Sequence, residues 1–196
     1  MFVCRYEGFT QQEQLVIGAA CNGMQQRAER SLDNGTPIAA WFGAANRNQV
    51  LLKLRMMSNV IGDAGRTFTF VNRTGGQIGV THTDVYTKYL NPVGQGTPLA
   101  GSGIVAYVFP VDRRDEIGPQ STVSHVGSGM RIYLNDVFFD LDTVMQSATI
   151  YHEITHKVLA TNDHCYGPAA CRFLATQNPG HAIDNADNFA LYIADC

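Results

Sequence analysis

Residues 151–167 read YHEITHKVLATNDHCYG. Formed as a helix that runs into a tight turn, this stretch stands His152 and His156 one turn apart on one face, where both imidazoles can reach a single ion. Glu153 then overlooks the open side of that ion, where a carboxylate can take a proton from bound water. A catalytic zinc uses three protein ligands and keeps a fourth position for water, so a third donor has to lie close in space. The turn Ala160-Thr161-Asn162-Asp163 can carry the Asp163 carboxylate back beside the two imidazoles. His164 and His181 are alternative donors, but His164 adjoins Asp163 and the two can hardly coordinate together from one unstrained turn. Tyr166, three residues beyond Asp163, can aim its hydroxyl at the oxyanion that forms when water attacks a carbonyl. The plainer interpretation is an amphipathic helix whose histidines hydrogen-bond locally.

His-Glu-x-x-His followed by Ala160-Thr161-Asn162-Asp163-His164-Cys165-Tyr166-Gly167 resembles the aspzincins, the deuterolysin and peptidyl-lysine metalloendopeptidase family, whose second motif is Gly-Thr-x-Asp-x-x-Tyr-Gly. Thr36-Pro37 through Trp41-Phe42-Gly43, Ala106-Tyr107-Val108-Phe109-Pro110, Arg131-Ile132-Tyr133-Leu134 through Phe138-Phe139, and Asn185-Ala186-Asp187-Asn188 also resemble family segments, in the family's order. The resemblance implies His152, His156 and Asp163 as ligands of one zinc ion, Glu153 as general base and acid, and Tyr166 as oxyanion stabiliser. In the family's lysine-directed members, the Asp matched by Asp187 and an acidic residue three places later are associated with recognition of a lysine after the scissile bond. Here the later position is Ala190, which should weaken that selectivity. For Asp187 itself, capping its helix or orienting a zinc-binding histidine is the competing role. The spacing from His156 to Asp163 is about two residues shorter than the family's usual one. Ala160 stands where the family has Gly, which limits positive backbone angles there.

The rest of the composition bounds the possibilities. A chain of 196 residues, 45% hydrophobic and 16% charged, fits a single domain over residues 1–196 with a proper core. A net charge of -3 offers no basic excess to neutralise phosphates, so no nucleic-acid partner is expected. No apolar run is long enough to span a membrane, and no secretory signal is visible at the start. Of the five cysteines, Cys165 and Cys171 flank Gly167-Pro168, where a bridge could brace the loop behind the zinc; two reduced thiols are the equal alternative. Asn135 stands where the resemblance leads one to expect a cysteine, so the family's disulfide pattern does not carry over.

Apolar spacing predicts amphipathic helices over Thr10–Leu32, with a Thr10/Glu13 capping box, and over about Arg47–Gly62. Thr67–Asn72 reads as a strand, and Asn72-Arg73-Thr74 is formally a glycosylation acceptor. Gly103–Pro110 and Met130–Val137 read as further strands. Met130–Asn135 is the candidate exposed edge that would hold an extended substrate by main-chain bonds, with an internal strand as the alternative. Leu141–Ala160, Ala169–Thr176 and Asp184–Ala194 complete the helices. The glycines at 94–96 and 101–103 open onto no helix and make no phosphate cradle. His82, His125 and Ser124 have no partner at a telling spacing.

The expected fold is α+β and zincin-like, with helices packed on a mixed or antiparallel sheet and an active-site helix carrying the two histidines. The expected function is zinc-dependent endopeptidase acting on protein or peptide substrates. Two alternatives stand beside it: a non-catalytic interaction module clipped together by zinc, and the peptidase toxin domain of a bacterial antagonism system, met by a proteinaceous inhibitor. The expected location is extracellular, by secretion or as an exported effector domain.

Overall fold

The computed structural model describes residues 2–33, 37–45, 47–72, 105–108 and 130–196. Strand β1 (Val3–Glu7) leads into helices α1 (Gln11–Arg30), α2 (Ile38–Phe42) and α3 (Arg47–Gly62), then strand β2 (Thr67–Asn72). Strands β3 (Ala106–Tyr107) and β4 (Arg131–Leu134) follow, then a 3-10 turn at Asp136–Asp140. Helices α4 (Thr143–Leu159), α5 (Pro168–Gln177), α6 (Pro179–Ala182) and α7 (Ala186–Ala194) close the chain. The glycine segments at 94–96 and 101–103, His82, Ser124 and His125 lie outside the described residues.

The strand order is β1-β2-β4-β3. β1 and β2 are parallel, which demands a long crossover, and α1 to α3 supply it. β2 is also parallel to β4, while β3 runs antiparallel to β4, so the sheet is mixed. This makes the fold α+β with helices on a mixed sheet, as expected. β2 sits between two strands, and Phe68, Thr69, Phe70, Val71 and Asn72 are all buried, the signature of a strand covered on both faces.

Two expectations need correcting. Arg131–Leu134 is an internal strand, paired on one side with β2 and on the other with β3, so Met130–Asn135 is not an exposed edge. Strand order depends on pairing with β2 and β3, about 60 and about 30 positions away, which the local pattern of the segment does not record. Asn72 is buried, and its Nδ2 donates to the Gly8 carbonyl at 3.1 Å, so this amide is spent inside the fold and is no glycan acceptor.

The caps explain where the long helices begin. Thr10 and Glu13 form the expected capping box, with the Thr10 N–H donating to Glu13 Oε2 at 2.7 Å. Asp142 Oδ1 accepts from the Met145 N–H at 2.8 Å and starts α4. α4 packs against α1, α3 and α7 and touches β3, so the helix with the two histidines runs through the middle of the molecule. Ile150, Tyr151 and Ile154 are fully buried on it, the burial of each isoleucine worth about 1.5–3 kcal/mol. Ser147 brings α4 close to α1 by donating to the Ala20 carbonyl at 2.9 Å.

α2 is locked at Gly43, whose φ is 56°. A Cβ there would lie 1.9 Å from the Ala175 carbonyl oxygen, so the close approach of α2 to α5 requires glycine. Trp41 adds a donor bond to Asp195 Oδ2 at 2.8 Å, and the Arg172 guanidinium lies over its indole at 4.7 Å.

Candidate metal centre

α4 sets the first two candidate ligands by its period alone. His152 and His156 lie one turn apart, with their Nε2 atoms 3.2 Å from each other. Asp163 Oδ1 sits 3.1 Å from His152 Nε2 and 3.4 Å from His156 Nε2. Three ligand atoms on a tetrahedral zinc, at about 2.0–2.1 Å from the metal, are separated by about 3.3–3.4 Å. The observed triangle therefore fits one ion. Among the described residues this is the one group of three metal-ligating side chains whose atoms converge in this way.

The rings are aimed from behind. His156 Nδ1 lies 2.8 Å from the Thr161 carbonyl, which can only accept, so Nδ1 carries the proton and Nε2 offers its lone pair forward. His152 Nδ1 lies 3.2 Å from Asp187 Oδ1, which has the same effect through a carboxylate. The other Asp187 oxygen accepts the Gly167 N–H at 2.6 Å. Burial pulls the His152 pKa down, but the Asp163 and Asp187 hydrogen bonds outweigh it and lift it to about 10. Burial likewise opposes ionisation of Asp163, yet the two imidazoles hold its carboxyl far below the usual range. These groups favour positive charge at their meeting point, and a divalent cation would supply it by displacing protons.

Glu153 is buried beside the triangle, and burial raises its pKa against the opposing pull of His152 and His156. A raised carboxylate pKa suits a group that must both take and return a proton. Tyr166 is 65% exposed, with its ring stacked at 6.1 Å on the His152 ring. Burial of its hydroxyl and the charge of Asp163, to which it hydrogen-bonds, push its pKa up, so it stays a donor.

The ligand turn is held by contacts that the spacing of the motif does not express. α4 ends at Ala160, which adopts the left-handed conformation at φ 53° and ψ 39°. The expected avoidance of positive angles is thus overridden, because the reversal is needed to bring Asp163 back to the histidines. Thr155 Oγ1 donates to the His152 carbonyl at 2.7 Å, so Thr161 Oγ1 must be the donor in the 2.8 Å contact between the two hydroxyls.

Asn185 is the larger anchor. Its Oδ1 accepts the N–H groups of His164 at 2.7 Å and Cys165 at 3.3 Å, and its Nδ2 donates to the Cys165 carbonyl and to Asn188 Oδ1. Main-chain bonds from Asn162 N–H to the Asp184 carbonyl and from Ala186 N–H to the Asn162 carbonyl tie the same segments. In the sequence, Asn185 stands out only as part of a segment that resembles the family. Its signal was an asparagine pair, Asn185 and Asn188, in a segment apolar enough to be buried.

His164 and His181 do not join the triangle. His164 Nε2 lies 3.0 Å from Asp184 Oδ2, and its ring stacks on His181 at 4.4 Å.

Residues 120–194 match the family model described as lysine-specific metallo-endopeptidase, of the aspzincin type. The peptidyl-Lys metalloendopeptidase of Armillaria mellea is 25% identical over 199 aligned positions, covering 95% of this chain and 45% of that protein. The peptidyl-Lys metalloendopeptidase of Grifola frondosa is 24% identical, covering 93% of this chain and 44% of its own length. The chain thus spans somewhat under half the length of these curated relatives. A solved zinc peptidase from Grifola frondosa superposes with a TM-score of 0.63 at 23% identity, covering 95% of this chain and 97% of that one.

Proposed function

We propose that the chain is a zinc-dependent endopeptidase of the aspzincin type that hydrolyses peptide bonds in protein or peptide substrates. The observation that carries this reading is the triangle of His152, His156 and Asp163, with edges of 3.1–3.4 Å matching one tetrahedral ion. His152, His156 and Asp163 would hold the zinc, which when bound acidifies water and polarises a carbonyl. Glu153 takes the proton of the attacking water and returns it to the leaving amine, a use of one carboxylate in two directions that its raised pKa supports. Tyr166 donates its hydroxyl to the oxyanion of the tetrahedral intermediate. Asp187 orients His152 and holds the Gly167 N–H.

With both of its oxygens so engaged and Ala190 apolar and buried, Asp187 offers little to a substrate ammonium group. Lysine after the cut is therefore a weak preference in this reading, not a requirement. The chain is read as working outside the cell that makes it; among the described residues no helix is long and apolar enough to cross a membrane.

Glu153→Gln tests the reading. It should keep zinc at the parent's level and lower turnover of casein by about 10²–10⁴-fold. Mass spectrometry of the parent's products then reads the residue after each cut. Unchanged turnover in Glu153→Gln would overturn Glu153 as the general base, and no casein cleavage by the zinc-loaded parent would overturn the peptidase assignment.

A further inference from the structure

All five cysteines lie among the described residues, and four of them meet in two pairs. Cys4 on β1 and Cys21 on α1 bring their sulfurs to 3.9 Å across 17 positions of sequence. Cys165, between Asp163 and Tyr166, and Cys171 on α5 bring theirs to 3.6 Å. Cys196 takes no part in either pair and donates its thiol to the Tyr192 carbonyl at 3.3 Å. Five cysteines can make two bridges in about fifteen ways, and the fold selects one of them.

We propose that the chain carries two disulfides, Cys4–Cys21 and Cys165–Cys171. Closing each pair to about 2.0 Å asks for roughly 1.6–1.9 Å of movement, shared between two side chains. The sulfurs are no second ion site, since the one converging group of three ligands among the described residues is at His152, His156 and Asp163.

The chemistry is ordinary thiol–disulfide exchange with a small-molecule disulfide such as oxidised glutathione. A thiolate of the pair attacks one sulfur of the oxidant, forming a mixed disulfide and expelling one small thiol. The second cysteine of the pair, deprotonated, then attacks the protein sulfur of that mixed disulfide, forming the bridge and expelling the second small thiol. Each pair gives up two protons and two electrons, and each oxidant becomes two thiols. At the first pair Cys4 is the attacking group: its half-exposed thiol is lowered to about 7 by the hydrogen bond from Cys21, whereas burial pushes Cys21 up.

The two bridges would do different things. Cys4–Cys21 fastens the sheet's outer strand β1 to the helix that covers it. Cys165–Cys171 fastens the turn bearing Asp163 and Tyr166 to α5, beside Asn185, whose Nδ2 lies 3.6 Å from both sulfurs. This second consequence rests on the metal-site reading above; the existence of the bridges does not.

The full chain, incubated with oxidised glutathione, is alkylated in denaturant without reductant, digested and mapped by mass spectrometry. The expected result is two linked species, Cys4 with Cys21 and Cys165 with Cys171, and alkylation at Cys196. Reduction should lower Tm by about 10 °C. Alkylation at all five cysteines, or linkage in any other pairing, would overturn the proposal. The map depends on neither zinc nor turnover, so a failed peptidase assay would leave it standing, and the reverse.

Discussion

The proposed metal centre joins two regions built on different principles. On α4, His152 and His156 converge because a helix repeats every 3.6 residues, and that helix is packed into the core on several sides. The turn 160–167 carries Asp163 and Tyr166 with no repeat to guide it. Its shape is imposed by Asn185, Asp187 and the main chain at 184–186, some 20 residues away. Two of the three proposed ligands are therefore placed by local geometry and the third by a remote polar network. Damage to that network should disable the centre while leaving its helix intact.

Asn185→Ala is the sharpest way to separate the two regions. It strips acceptors from the His164 and Cys165 N–H groups and a donor from the Cys165 carbonyl, all at a fully buried side chain. The expected cost is about 2–4 kcal/mol of stability, measured by urea unfolding, with zinc affinity lowered about 10–100-fold. Helical circular dichroism at 20 °C should stay at the parent's level. A variant that binds zinc as tightly as the parent would show that the turn holds its own shape.

Acid probes the same difference more gently. Burial opposes ionisation of Asp184, but hydrogen bonds from Asn162 and His164 win and hold its carboxyl below the ordinary value. A carboxyl lowered in the folded state contributes stability above the unfolded pKa of about 3.9, and loses it as pH falls through the folded value. As pH drops from 5 towards 3, Asp184→Asn should lose less stability than the parent. Parallel losses in the two proteins would remove Asp184 from the account.

The smallest effect is expected at Ala160→Gly. An alanine in the left-handed region costs about 1–2 kcal/mol, part of which glycine returns as entropy lost from the unfolded chain. The variant should unfold at the parent's midpoint or up to about 1 kcal/mol higher, with turnover unchanged. A destabilised variant would mean that Ala160 is held by packing rather than tolerated for the sake of the turn.

The same division governs what could be read from the sequence. α1, α3, β2 and α4 announce themselves through period and caps, and Thr10 with Glu13 shows how a local rule survives folding intact. β1 was not legible: its five residues alternate between exposed and half-buried, and their parallel partner lies some 60 positions later. α2 is a five-residue helix fixed by the contact of Gly43 with α5 rather than by any pattern of its own. The wrong edge assigned to Met130–Asn135 has the same origin, since an edge is a statement about neighbours. At the candidate site, spacing points to His152, Glu153 and His156, and a turn plus a resemblance points to Asp163 and Tyr166. Thr155, Thr161 and Asn185, which hold those residues in place, act through bonds between segments that only the fold brings together.

X-ray absorption at the zinc edge on the zinc-loaded chain reads the proposed ligand set itself. One zinc per chain is expected, bound by two imidazole nitrogens and oxygen from Asp163 and water, all at about 2.0–2.2 Å. A sulfur shell at about 2.3 Å would contradict it, because Cys165 or Cys171 would then be holding the metal in place of Asp163.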